Sequence, residues 1–332
     1  MKNWLARLFG SSRPEHAAPP VHCASLPNGA PAAPGSDAGA PSPFDVDLAF
    51  YRWLAGSALH ATTAPEQTIL DEMARFSRQP DAAAELVPRV PAVVPQLLRS
   101  LRDDSMSGAD LARQVGQDVT LVAEVIREVN SPYYGQSARI ANIEGALMLL
   151  GQNGLRMLLA RVAFRPVISA QTGRLARQVA PQIWSQSEKC ALAASMAAPL
   201  LAADPFEAYL AGLMHNVGLI VALRLVDQVA PGAALPQSDD FAAALQDSAR
   251  TLSAHIAVLW EFPPAVGQAI GQAGHPDAAA LAHALRTGDR LAKLRLLVDA
   301  GLEGAAPAAA QLEAPQQRIF GNLADKPAGA QH

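Results

Sequence analysis

Asp118-Val119-Thr120-Leu121-Val122-Ala123-Glu124-Val125-Ile126-Arg127-Glu128-Val129-Asn130-Ser131-Pro132-Tyr133-Tyr134-Gly135 is the stretch on which the fold turns. Leu121, Val122, Val125, Ile126 and Val129 recur at helical spacing, so they share one apolar stripe. Asp118 is placed to cap that helix and Pro132 to stop it, while Asn130 and Ser131 can bond neighbouring backbone groups and Gly135 permits a turn. Working outward, Ser107 with Asp110 makes a capping-box-like start for Leu111 to Val115. On the other side Asn142 starts a run with Ile143, Ala146, Leu149 and Leu150 inward, Gly151 supplies a left-handed stop, and Asn153 begins again.

The same punctuation continues. Pro181 sits near the start of a long helix through Trp184, Cys190 and Leu200, and Asp204-Pro205 is a cap followed by proline at the first helical position. Further helices are predicted through Phe206 to Val217, from about Asp240 to Trp260, and from about Pro276 to Val298. Upstream, Phe50, Tyr51, Trp53 and Leu54, then Ile69, Leu70, Met73 and Phe76, suggest two short helices within an N-terminal helical segment at 44–83. Residues 11–43 are Pro, Ala, Gly and Ser with almost no large apolar residues and read as a disordered linker; residues 1–10 are a candidate for a short amphipathic helix, with Trp4, Leu5, Leu8 and Phe9 on one side. Residues 299–332 return to Ala, Pro, Gln and Gly and read as a short tail. No alternation long enough for a sheet is visible, so the fold class is all-α.

Half of the 332 residues are hydrophobic and 17% are charged, enough apolar surface for a large core built from helix-favouring Ala and Leu. The formal charge of −4 does not recruit a polyanion. The helix pair Ser107–Gly116 and Asp118–Val129 has the outline of a helix-turn-helix, but its second helix sets Glu124 and Glu128 against Arg127 alone, so no specific nucleic-acid partner is expected. Cys23 and Cys190 have no second ligand at metal spacing beside them, which fits a reducing, cytoplasmic setting. No uninterrupted apolar run reaches the ~20 residues of a membrane span, and a ten-residue interfacial helix at the N-terminus holds a membrane only weakly.

Val87-Pro88-Arg89-Val90-Pro91, Asp118-Val119, Val129 to Gly135, and Ile140, Ile143, Ala146 and Leu149-Leu150-Gly151 together resemble the N-terminal half of an HDOD domain. Trp184-Ser185-Gln186-Ser187, Gly212 to Gly218, Trp260-Glu261-Phe262-Pro263 and Thr287-Gly288-Asp289-Arg290-Leu291 follow in the order that family shows. The resemblance covers residues 84–298. It implies a multi-helix domain similar to the HD phosphohydrolases, which hold metal through a histidine, a His-Asp pair and a distant aspartate, in a protein of bacterial signal transduction.

On that resemblance the metal positions fall at Gln186, at His215-Asn216, at Ala273-Gly274 and at Asp289. Glutamine is a poor ligand for transition metals and a neutral amide lacks the charge of a bridging carboxylate, so only His215 and Asp289 match, with His215 read as a packed histidine bonded to Asp289 or Asn216. The expectation is a regulator without catalytic residues, metal or cofactor, acting through protein partners. The alternatives are a phosphohydrolase using His215, Asp289 and either His255 or His275, and a cyclic-dinucleotide receptor using Arg156, Arg161 and Arg165, whose guanidinium forks suit phosphate. Asn130, Ser131, Tyr133 and Tyr134 are a candidate contact surface.

Overall fold

A computed structural model describes residues 44–56, 66–78, 107–131, 139–169 and 173–325, and among these every regular element is helical. From Asp45 onward they belong to one compact unit. The expectations for residues 1–43 and for Tyr133 and Tyr134 lie outside the described residues.

Side-chain caps set most helix starts. Asp45 accepts the backbone N–H groups of Asp47 and Leu48 to open α1 (Val46–Ala55), which is followed by α2 (Glu66–Arg78). Ser107 caps α3 (Gly108–Val115) through Asp110 N–H, and Asp118 caps α4 (Val119–Val129) through Leu121 N–H, as their spacing predicts. The run Ile143–Ser169, α5, is broken where Gly151 takes φ +69°, the expected interruption. Asp204 with Pro205 opens α7 (Pro205–Met214) and Ser238 opens α9 (Asp239–Leu259).

The long helix α6 (Arg174–Ala197) begins seven residues before Pro181, near which its start is expected. Its start is stabilised from a distance: the Asp227 carboxylate on α8 (Val217–Val229) accepts the N–H groups of Leu175 at 2.9 and 3.0 Å and Ala176 at 3.3 Å. A cap donated by a residue some fifty positions downstream leaves no local trace.

Helix α6 is the hub, with α5, α7, α8 and α11 (Ala280–Asp299) packed on it, and α10 (Pro264–Gln272) bridging α9 and α11. Its face is lined by Cys190, Ala191 and Ala194, all fully buried. The contacts are backbone-close. A Cβ on Gly212 of α7 would sit 2.4 Å from Ala191 Cα, and one on Gly288 of α11 would sit 2.6 Å from Ala194 N. Small residues on all three helices bring α7 and α11 against α6, and the functional side chains project from these approaches.

One expectation is corrected. Residues 299–325 are not a simple tail: α12 (Ala305–Ala310) and α13 (Ala314–Asn322) pack on α11, and Ile319 and Leu323 are buried. The buried Lys189 ammonium of α6 donates to Leu323 O at 3.1 Å and to Asp325 at 2.6 Å, anchoring the segment. An Ala-rich composition with few large side chains concealed those helices. The segment Pro205–Val229 is apolar on average over a length that could cross a membrane, but it is two helices broken at His215-Asn216, with 83% of its most apolar window buried within the protein.

Candidate functional site

His215 ends α7 where Gly212 lies against α6, and Asp289 follows Gly288 on α11, so the two side chains meet beside Gln186 and Cys190, one turn apart on α6. The geometry is a closed polar network. His215 Nδ1 lies 2.7 Å from Gly212 O, which fixes the ring so that Nε2 lies 3.1 Å from Asp289 Oδ1. Gln186 Nε2 donates to the same Oδ1 at 2.5 Å. Asn216 Nδ2 donates to Gln186 Oε1 and, at 3.1 Å, to Ser187 Oγ. Lys293, one turn beyond Asp289, donates to Asp289 Oδ2 at 2.7 Å and to Asp47 Oδ1 on α1 at 2.6 Å. Behind His215, Ser253 donates to its carbonyl at 2.6 Å and accepts from Gly218 N–H at 2.8 Å.

All four expected positions, Gln186, His215, Asn216 and Asp289, are thus brought together, and His215 is bonded to Asp289 as expected. Lys293, Asp47 and Cys190 complete the site and were not anticipated. Lys293 was within reach of sequence reasoning, since Asp289 and Lys293 stand at i and i+4 on one helix. Cys190 stands in the same relation to Gln186. Asp47 was not, because only the docking of α1 brings it there.

The electrostatics centre on the Asp289–Lys293 pair. Burial pushes the Asp289 carboxyl up, but the Lys293 ammonium and His215 beside it outweigh that and hold it well below the usual carboxylate range. Burial likewise disfavours the Lys293 ammonium, and Asp289 and Asp47 more than restore it, raising it above the usual lysine range. Cys190 is raised well above the ordinary thiol range by burial first and by the Asp289 charge second.

Ligand atoms of Cys190, His215 and Asp289 lie within 4.8 Å of one another, a spacing that a tetrahedral metal site uses. The donor set does not fit a divalent cation. Asp289 Oδ2 is bonded to an ammonium that already supplies the positive charge, and the carboxamides of Gln186 and Asn216 are spent on each other and on Asp289. His255 and His275, the expected third ligands, are exposed and line no part of the site.

The other expected sites resolve differently. Arg161 is paired with Glu128 at 2.9 Å and with Glu188, Arg156 is buried, and only Arg165 is half exposed. These arginines do not present a common cationic face, because helix α5 turns them into the core and into α4 and α6. Asn130 is structural: its side chain donates to Ile126 O at 2.7 Å and Ile140 O at 2.8 Å and accepts from Ile140 N at 2.8 Å, clasping both ends of the loop that holds the half-buried Ser131.

An all-helical domain in which two carboxamides stand at expected ligand positions and an ammonium bonds the remaining carboxylate defines a class. The chain belongs to the HDOD family: the HDOD domain model matches residues 87–276. Asp47, Asp289 and Lys293 lie outside that span, so flanking helices complete the site. An HDOD domain protein of unknown function from Geobacter sulfurreducens is 19% identical, with a TM-score of 0.54 over 76% of this chain and 94% of that one. A candidate signal transduction protein from Marinobacter aquaeolei is 18% identical with a TM-score of 0.53, covering 80% of this chain and 65% of that one. A candidate metal-dependent phosphohydrolase from Shewanella amazonensis is 16% identical, with a TM-score of 0.51 over 78% and 97% of the two chains. A Treponema pallidum protein without a functional name is 27% identical over 140 residues, 41% of this chain; the chain spans about a quarter (26%) of that relative's length.

Proposed function

We propose that this chain is a non-catalytic regulatory module acting through contacts with protein partners in the cytoplasm of a bacterium. The observation that carries the reading is the Lys293 ammonium on Asp289 Oδ2, within a network where Gln186 and Asn216 stand at the expected metal positions. Metal-dependent hydrolysis needs several anionic or imidazole donors and an open coordination position for the attacking water. Here both oxygens of Asp289 already accept hydrogen bonds, and a divalent ion would have to enter beside a fixed positive charge. Among the named relatives, the residues at this site favour the signalling description over the hydrolytic one. A cyclic dinucleotide at Arg156, Arg161 and Arg165 is not carried forward, since Arg161 is neutralised and Arg156 buried.

The test is to incubate the purified full chain with Mn²⁺, Mg²⁺ or Fe²⁺ and a panel of phosphodiester and nucleotide substrates. No turnover dependent on His215 is expected; turnover abolished by His215→Ala defeats the reading. A pull-down comparing the full chain with one lacking residues 1–43 then identifies the partners.

A further inference from the structure

The network forms the floor of a cleft that its own residues do not fill. Helix α1 stands along one side, and the start of α8, the middle of α9, the end of α10 and the middle of α11 form the rest, around a volume of about 190 Å³. The wall is apolar, with Phe50, Leu54, Leu219 and Ile270 facing the space, while Arg250 and Arg286 stand on its lining from α9 and α11. The two carboxylates of the floor, Asp47 and Asp289, share the single ammonium of Lys293, which leaves one negative charge there. Arg286 is exposed, and among the described residues no carboxylate pairs with it. Arg250 makes only a three-residue-apart pair with the exposed Asp247, a kind worth little in water. The positions where the resemblance places further ligands, Ala273 and Gly274, carry little or no side chain, and a Cβ on Gly274 would already lie 3.5 Å from Arg250 Nη1.

We infer that this cleft binds a small organic phosphate, with one apolar ring seated against Phe50, Leu54, Leu219 and Ile270 and its phosphate held by Arg250 and Arg286. Guanidinium forks match phosphate oxygens in pairs, and Arg250 and Arg286, neither with a buried partner, turn the net charge of the lining from −1 to +1. The volume decides the size of the body. A cavity of ~150 Å³ accepts a single benzene ring, so a space of about 190 Å³ seats one ring, and the second base and the sugars of a cyclic dinucleotide would lie outside it. Such a ligand would bridge α1 to α9 and α11, adding to the Asp47–Lys293 contact and to the 2.5 Å Arg52–Asp239 ion pair that already hold α1 down. The inference rests on the non-catalytic reading, because it makes the degenerate site a receptor.

The experiment is calorimetric titration of the full chain at low salt with phenyl phosphate as probe, beside phenol, inorganic phosphate and cyclic di-GMP. Saturable binding of phenyl phosphate is expected, at least about tenfold tighter than either phenol or inorganic phosphate. Arg286→Glu, a change at an exposed position, weakens it by about tenfold or more, and Leu219→Trp, which fills the cleft, abolishes it while leaving the thermal transition in place. No binding of phenyl phosphate, affinity equal to that of inorganic phosphate, tighter binding of cyclic di-GMP, or indifference to Arg286→Glu overturns the inference. Release of inorganic phosphate from phenyl phosphate in a His215-dependent manner would instead defeat the non-catalytic reading and leave the cleft assignment standing, so the two fail separately.

Discussion

Replacing Lys293 by Met removes the ammonium while keeping most of the aliphatic stem, and it isolates the electrostatic core of the site. The side chains of Lys293 and Asp289 are 11% and 23% exposed, so the pair lies in the regime where removing one partner costs ~3–5 kcal/mol because the other is left charged in a poor solvent. Gln186 and His215 still bond Asp289, which places the expected loss near ~3 kcal/mol; the contact to the 60%-exposed Asp47 adds at most ~1 kcal/mol. The assay is urea unfolding at pH 7 of wild type, Lys293→Met, Asp289→Asn and the double variant. If the pair acts as a unit, the double variant recovers a large part of the single-variant loss. The pH dependence has a definite sign. The carboxyl is depressed in the folded wild type, so its contribution is present above the unfolded value of ~3.9 and is lost only as pH falls through the lower folded value. In Lys293→Met burial is less opposed and the folded carboxyl moves up, so the variant's deficit shrinks as pH falls through that higher folded value. A single variant within ~1 kcal/mol of wild type at pH 7, or a double variant no better than the single, refutes the argument.

Three further outcomes follow from the packing. Gly288→Ala forces a Cβ to within 2.6 Å of Ala194 N and 2.7 Å of Cys190 O, both backbone atoms, so α6 and α11 must separate; a loss of ~1–3 kcal/mol is expected in thermal unfolding, together with weakening of the Asp289 network. The Cys190 thiol, fully buried and raised above its ordinary range, stays unreactive toward a thiol reagent at pH 8 in the folded protein and reacts when urea is added. Truncation after residue 304 removes Leu323 O and Asp325 from the buried Lys189 ammonium and exposes the seat of Ile319; a fall in the melting temperature of several degrees is expected, and an unchanged transition would show the segment to be dispensable.

What was legible in the sequence was what is written locally. The caps at Ser107, Asp118 and Asp204 and the break at Gly151 depend on residues within a turn of the feature they cause, and the structure places each of them as expected. The meeting of Gln186, His215, Asn216 and Asp289 was legible through the family frame. What stayed hidden depends on contacts between distant positions. Asp227 caps α6 from α8, and Asp47 reaches Lys293 only because α1 docks on α11. The arginines of α5 misled for the same reason: spacing along a helix says which residues share a side and not whether that side meets solvent or the carboxylates of Glu128 and Glu188. The site carries the consequence furthest. Counting retained metal ligands gave two, as if positions had merely been vacated, whereas the folded chain has put an ammonium against the remaining carboxylate and joined the two carboxamides to it. Restoring histidine at 186 and aspartate at 216 would therefore not by itself recreate a metal centre, because Lys293 still neutralises Asp289; the charge of Lys293 has to be removed as well before a divalent cation gains more from the site than it loses in leaving water.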